Sequence, residues 1–546
     1  MKVRLLRRLI AACLSATLAI AITHAQSSGF SYWTAIAENS FEIKGERQII
    51  PSKYIVQSLD FEGIKNRLQT APLEFTAGCW NAAIVIELPM PDGRTQRFRV
   101  IESPIVEAPL AARFPQIRTF LGQGIDDRYA NVRMAFTHKG FHAMIYSPNG
   151  TVFIDPYSSR TTSEYLVYYR KDFTDSGEAP FTCGVENEAN ALPQVPGNFG
   201  KVLQPPPVRH QAPDFQLGDC KLRTYRLALA ATGEYTTYHG GLVQDGLAAQ
   251  IVSMNRVNGI YETDLGIRMI LVANNHLVIY TDGNTDPFTN SSGSTMLNQN
   301  QTNMTNVIGS ANYDIGHVFS TGGGGIAQLN SPCSAGNKAK GVTGRGAPVG
   351  DPFDVDYVIH EMGHQFGANH TQNNNCNRAS TACYEPGSAS TAMGYAGICT
   401  PNVQSNSDAY FHGYSIEEIK NFTAGAGNTC ASTPAYTNSA PVIGSYTASQ
   451  TIPKSTPFAL TASVTDVDGN ALTYCWEQLD VQVSTQPPVS TATGGPNFRS
   501  FNPSAQPTRY FPRLAQLTGT PPATDWEVLS SVARTMNFRL VVRDNA

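Results

Sequence analysis

The stretch Val358-Ile-His-Glu-Met-Gly-His-Gln-Phe-Gly-Ala-Asn-His370 constrains this chain more than any other. It gathers three of the chain's 11 histidines and one glutamate into a single short run. On a helix each residue turns by about 100°, so His360 and His364, one turn apart, project from the same face. Val355, Val358, Ile359, Met362 and Phe366 form an apolar stripe roughly opposite that pair. The spacing therefore predicts a helix from about Asp354 to Phe366, with one face to pack and another to hold a metal. Glu361 lies beside a ligand position but off the histidine face, placed to reach a water rather than the ion. Gly367 lets the backbone leave the helix and turn, which can return His370 to the same ion. Three neutral imidazoles and an open fourth position describe a catalytic zinc site, whereas a structural zinc closes with four protein ligands. The competing reading is a helix with surface histidines; it gives no reason for Gly367 and His370 to continue the pattern.

At 546 residues the chain is too long for one core, and about 150 residues per domain suggests three or four units. A net charge of -4 leaves no basic footprint for nucleic acid. Beyond the first residues, no run of about 18 or more apolar residues is available to span a membrane. Protein or peptide partners are expected. Residues 1–25 read as a secretory signal: Lys2, Arg4, Arg7 and Arg8, an apolar run from Leu9 to Ile22, then Thr23-His-Ala25 as a small-residue cleavage site. Cys13 falls too early in that run to mark a lipidated terminus. Export puts the other nine cysteines in an oxidising compartment, where disulfides are the default, and an odd number leaves at least one thiol over.

Residues 26–192 mix short alternating segments, such as Ala82 to Leu88 and Arg97 to Ile101, with turns at Pro91-Asp-Gly93 and Pro148-Asn-Gly150, which reads as a mainly β domain. Residues 193–219, rich in proline, read as an exposed linker suited to proteolytic nicking. From Cys220 strands and helices alternate, giving a mixed α/β domain over 220–432. Arg223 to Ala231 is a strand; Leu247, Ile251, Met254, Val257 and Tyr261 line one helix face; Ile267 to Ala273 is a buried strand. A polar helix from Met296 to Val307 and a strand from Tyr313 to Thr321 follow. Gly322-Gly-Gly-Gly-Ile-Ala327 reads equally as loop or strand. Residues 433–441 form a second linker. In 442–546, Phe458 to Val464 and Leu472 to Trp476 alternate around Asp468-Gly469, a hairpin pattern that suggests an Ig-like or cadherin-like β-sandwich. Asp466-Val-Asp-Gly-Asn470 is read as a turn, with a calcium site on Asp466 and Asp468 as the alternative. The end of the chain soon after the strand-like run Met536 to Val542 suggests that this module continues in a longer protein.

The pattern HExxHxxGxxH resembles that of the metzincin zinc peptidases, which also carry a Met-turn beneath the metal. Ser390-Thr-Ala-Met-Gly-Tyr395 supplies the matching residue, Met393. Residues 220–430 are similar to the reprolysin or adamalysin branch, and to its secreted bacterial members in particular. The resemblance implies a two-lobed zinc endopeptidase with a twisted mixed sheet. His360, His364 and His370 would be the zinc ligands, Glu361 the general base, and Gly324, Gly325, Ile326 and Ala327 an edge strand that pairs with extended substrate. It also implies a disulfide between Cys333 and Cys430, while Cys376, Cys383 and Cys399 sit in the lower lobe with connectivity open. Tyr395 departs from the proline common in animal reprolysins and matches astacin-like and pappalysin-like relatives, where the tyrosine approaches the metal or the developing oxyanion; the other reading is a packing ring. The first domain resembles a reprolysin propeptide ending in Phe181-Thr-Cys-Gly-Val185, in which Cys183 would fill the open zinc position and make the propeptide its own enzyme's inhibitor. The other reading pairs Cys183 with Cys79.

The rival to an enzyme is an adhesion or binding protein whose metzincin-like domain is an inactive scaffold. Retention of Glu361 beside three histidines argues against it, because a scaffold has no use for the base. Asn369-His-Thr371 is a glycosylation sequon inside the zinc motif; a glycan there would crowd the cleft, which favours a bacterial source.

Overall fold

The computed structural model describes residues 31–173, 183–185, 218–434, 438–519 and 524–545. The expected signal segment and linker residues 193–217 lie outside them. Among the described residues, no helix is long and apolar enough to cross a membrane.

The N-terminal region is a nine-stranded antiparallel sheet: β1 Trp33–Ala35, β2 Ile55–Leu59, β3 Ile84–Pro89, β4 Thr95–Glu102, β5 Arg118–Gly124, β6 Asn131–Thr137, β7 Gly140–Tyr146, β8 Val152–Pro156 and β9 Glu164–Tyr169. Its order, β1-β2-β9-β8-β7-β6-β5-β4-β3, is a meander from β3 to β9 whose last strand meets the β1-β2 pair. The expected turns are where the sequence placed them: Gly93 (φ +85°) closes the β3–β4 hairpin and Gly150 (φ +117°) the β7–β8 connection. The central strands are apolar on both faces. In β8 and β9, Val152, Ile154, Tyr165 and Val167 join one core with Ile64 and Leu68 of the short helix Phe61–Leu68. Phe153, Leu166 and Tyr168 alternate to the opposite face and join a core built mainly of residues beyond 220. The first expected domain thus shares a hydrophobic core with the second.

That second region is a mixed six-stranded sheet in the order β10-β14-β15-β13-β11-β12. β10 is Cys183–Val185, β11 Arg223–Ala231, β12 Ile267–Leu271, β13 Ile315–Ser320, β14 Gly325–Ala327 and β15 Gly341–Gly344. β11, β12, β13 and β15 are parallel, and β14 runs antiparallel to its neighbour β15 and parallel to β10. The long helix Val243–Leu265 packs between this sheet and the N-terminal one and ends at Gly266 in the left-handed conformation. The histidine-bearing segment differs from expectation. It begins as a π-helical stretch, Pro352–Val358, and becomes α-helical only over Ile359–Gln365. Its buried carboxylates explain the constraint: Arg170, just after β9, bonds Asp351 at 2.5 Å and Asp356 at 2.8 Å, while Arg256 of the long helix bonds Asp354 at 2.9 Å and Asp155 of β8 at 2.5 Å. The wider turn accommodates three acidic side chains among two arginines from different elements.

The C-terminal region holds two small sheets. β16 Val442–Tyr446, β17 Phe458–Thr465 and β19 Thr508–Phe511 form one; β18 Leu472–Gln478 and β20 Phe538–Asp544 form the other. Phe458, Trp476, Phe498, Phe511 and Phe538 pack between them. The expected hairpin is corrected here: β17 and β18 do not pair, and the Asp468-Gly469 turn carries the chain from one sheet to the other.

Candidate metal centre

The helix Ile359–Gln365 is buried on every side, including its histidine face. At Gly363 a side chain is excluded, because a Cβ there would lie 2.4 Å from Met393 Sδ. Met393, fully buried, thus lies directly against the helix. Gly367 (φ +100°) ends the helix and turns the chain so that His370 comes back beside His364.

Each imidazole is oriented by a backbone carbonyl that can only accept. His360 Nδ1 faces Ala392 O at 2.9 Å, His364 Nδ1 faces Ala368 O at 2.7 Å, and His370 Nδ1 faces Asn377 O at 2.8 Å. All three Nδ1 atoms therefore carry the proton, and all three Nε2 atoms present bare lone pairs. Those lone pairs converge, with His364 Nε2 3.0 Å from Nε2 of both His360 and His370. Burial lowers His360 to about 4, and burial together with neighbouring imidazoles holds His364 and His370 far below the usual histidine value. Three neutral acceptors aimed at one point repel unless a cation lies between them. Cys183 Sγ completes the group at 3.7 Å from His364 Nε2 and 3.6 Å from His370 Nε2. These four ligand atoms all lie within 4.8 Å of one another. A tetrahedral zinc with ordinary bond lengths separates two nitrogens by about 3.3 Å and nitrogen from sulfur by about 3.6 Å, so the donor set fits zinc.

Glu361 is buried beside this cluster, and burial raises its carboxyl to about 8, partly offset by the Cys183 thiol. Tyr395 packs edge-on to His370, ring centres 4.7 Å apart, and its hydroxyl donates to the Cys183 carbonyl at 3.3 Å. Burial keeps that phenol protonated far above its usual range. β10 lies on β14 in parallel register, Cys183 opposite Gly325, Gly184 opposite Ile326 and Val185 opposite Ala327. Gly325, Ile326 and Ala327 are thus the outer strand of the sheet apart from β10; Gly324 (φ +67°) stands just before it in the preceding turn.

The cysteines divide into three sets. Cys333–Cys430 and Cys376–Cys399 form disulfides. Cys183 stands at the histidine cluster, so the alternative Cys79–Cys183 bond is not formed. Cys79, Cys220, Cys383 and Cys475 keep their thiols, more than the odd count required. The calcium alternative gains nothing from the structure: Asp466 accepts from Asn470 N and Asp468 from Ser439 N, as turn-capping carboxylates do, and no metal-binding group forms there among the described residues. The sequon amide of Asn369 is bonded to Glu418 at 2.6 Å.

Two residues near the cluster carried no signal in the sequence. Glu385, 1% exposed, receives hydrogen bonds from the Thr371, Ser390 and Thr391 hydroxyls and from the Ser390 and Thr391 amides, joining the chain just after His370 to the turn before Met393. Asn377 supplies the carbonyl that orients His370 and extends its side chain towards Tyr395. The C-terminal region buttresses this lower lobe: Gln486 accepts from Gly387 N, Ser500 O accepts from the Ser390 hydroxyl, and Glu477 accepts from Gly413 N.

Residues 221–422 match the model of metallo-peptidase family M12B, reprolysin-like. The match spans β11 to the helix Gly413–Ala424 and contains the three histidines and Met393. Comparison with curated proteins finds none that matches the chain. The reprolysin-like segment and its buried His/Cys cluster support a zinc protease acting on proteins or peptides.

Proposed function

We propose that this protein is an exported zinc endopeptidase made as a zymogen, with residues 26–192 as propeptide and 220–432 as the catalytic domain. The convergence of three Nε2 lone pairs beside the buried Glu361 carboxylate carries the reading. His360, His364 and His370 would hold the zinc. Zinc bound there supplies a Lewis acid for water and for the peptide carbonyl. Glu361 takes the proton of the attacking water and passes it to the departing amine, a task suited to a carboxyl buried beside the three histidines. Tyr395, kept protonated, donates to the carbonyl oxygen as charge develops on it. β14 holds the substrate backbone in extended form. Cys183 and β10 lie over both the histidines and this strand, which supports their role as the inhibitory end of the propeptide.

The test is Glu361→Ala in a form whose histidine cluster is no longer covered by Cys183. Zinc content should stay at one per chain while cleavage of a denatured protein falls by about 10²-fold or more. Undiminished proteolysis would sink the assignment.

A further inference from the structure

Cys183 brings a backbone carbonyl as well as a thiol to the cluster, and two side chains bind that carbonyl. Asn377 Nδ2 donates to Cys183 O at 3.3 Å, and the Tyr395 hydroxyl donates to the same oxygen at 3.3 Å. The two donors are also linked to each other, Asn377 Nδ2 donating to the Tyr395 oxygen at 3.2 Å. The amide has two N–H bonds and the hydroxyl one, so the arrangement is self-consistent: one amide proton points at Tyr395, the other at the carbonyl, and the hydroxyl proton also at the carbonyl. Asn377 is solvent-exposed, sits at φ +47°, and turns its own carbonyl back to His370 Nδ1 at 2.8 Å. The left-handed backbone thus sends the residue's carbonyl to a histidine of the cluster and its side-chain amide to the Cys183 carbonyl. Asparagine and glycine are the residues that adopt this conformation at little cost.

We propose that Asn377 is a catalytic residue, forming with Tyr395 a two-donor cradle for the substrate carbonyl that sits over the histidine cluster. This deepens the peptidase reading and rests on it. In the described state a carbonyl of the chain's own Cys183 segment fills the cradle. Once that segment leaves, an extended peptide on β14 brings a backbone carbonyl to the same two donors, and their fixed placement stabilises the negative charge that grows on its oxygen.

Kinetics are measured on the full chain in a Cys183→Ala background, comparing Asn377→Gly and Asn377→Asp with Asn377. Both substitutions keep a residue that tolerates the left-handed backbone, and both remove the donor. The expected result is a 10- to 100-fold lower kcat, little change in KM and unchanged zinc content, with the loss from Tyr395→Phe less than additive on either variant. An unchanged kcat, an effect confined to KM, or a loss matched by loss of zinc would each overturn the proposal. A second measurement holds even if the background lacks peptidase activity, which would be a failure of the peptidase reading alone. In the otherwise wild-type chain, alkylation of Cys183, followed by peptide mass spectrometry, should be faster by at least 10-fold in Asn377→Gly. An equal rate would show that the amide does not hold the carbonyl.

Discussion

At the scale of single residues, the centre depends on groups that orient the histidines as much as on the histidines themselves. Glu385 shows how. Its two oxygens take five hydrogen bonds from Thr371, Ser390 and Thr391, and Thr371 N in turn donates to Met393 O at 3.2 Å. One buried carboxylate therefore ties the residue after His370 to the turn that supports the helix. Glu385→Ala leaves these donors without an acceptor, a cost of about 3 kcal/mol or more, and Glu385→Gln offers an N–H where donors already crowd. Both variants should melt several degrees lower and bind zinc about 10- to 100-fold more weakly, while activity per bound zinc is retained. Chelator competition and thermal unfolding read this out, and wild-type values in both would refute the clamp. None of it was legible in the sequence. His360, His364 and His370 announce themselves by spacing on one helix and its turn, whereas Glu385 and Asn377 reach the cluster through irregular chain with no period.

Elements were legible where they were long and regular. β11 matches its expected bounds, and the helix Val243–Leu265 contains all five residues of its expected stripe. β15, four residues with two glycines, gave no alternation to read, and β14 stayed open between loop and strand because only its partners decide it. The π-helical start of the histidine-bearing segment answers to Arg170 and Arg256, both remote in sequence. One residue joins these elements. His317 of β13 lies fully buried between Gln365 Oε1 of the helix Ile359–Gln365 and Thr343 Oγ1 of β15, each at 2.8 Å. Burial lowers it to about 4, with the Gln365 bond acting the other way. The folded value lies below the unfolded one of about 6.5, so the stability it contributes is present above pH 6.5 and is lost as pH falls through 4. The loss is at most ~3 kcal/mol. Replacing His317 with Gln should flatten the decline in melting temperature between pH 6.5 and 4; an identical slope in both proteins would exclude His317 as a contributor.

Across the whole molecule, the N-terminal sheet and the region that holds the histidine cluster are packed as one body. Phe153, Leu166 and Tyr168 of the N-terminal sheet share a core with Met254, Val257, Phe353 and Met362, and Arg170 is buried against Asp351 and Asp356. Taking the sheet away would expose apolar surface and leave carboxylates whose desolvation Arg170 now offsets, so cutting the chain within 193–217 is not enough to part the two regions. Inhibition, on the zymogen reading, has a separate and much smaller anchor: one thiol on the histidines, the Cys183 carbonyl on Asn377 and Tyr395, and three residues of β10 on β14. The two anchors predict different phenotypes. Cys183→Ser removes the thiol and leaves the shared core intact, so the uncut variant should elute and melt like the wild type and yet show peptidase activity that the uncut wild type lacks. Wild type nicked within 193–217 should remain one particle by size exclusion even at about 1 M salt, because apolar contacts and buried ion pairs are little screened. A Cys183→Ser chain that stays silent until the N-terminal sheet is stripped away would move the block from the thiol to the sheet itself, and the regulation of the enzyme would then lie in the shared core.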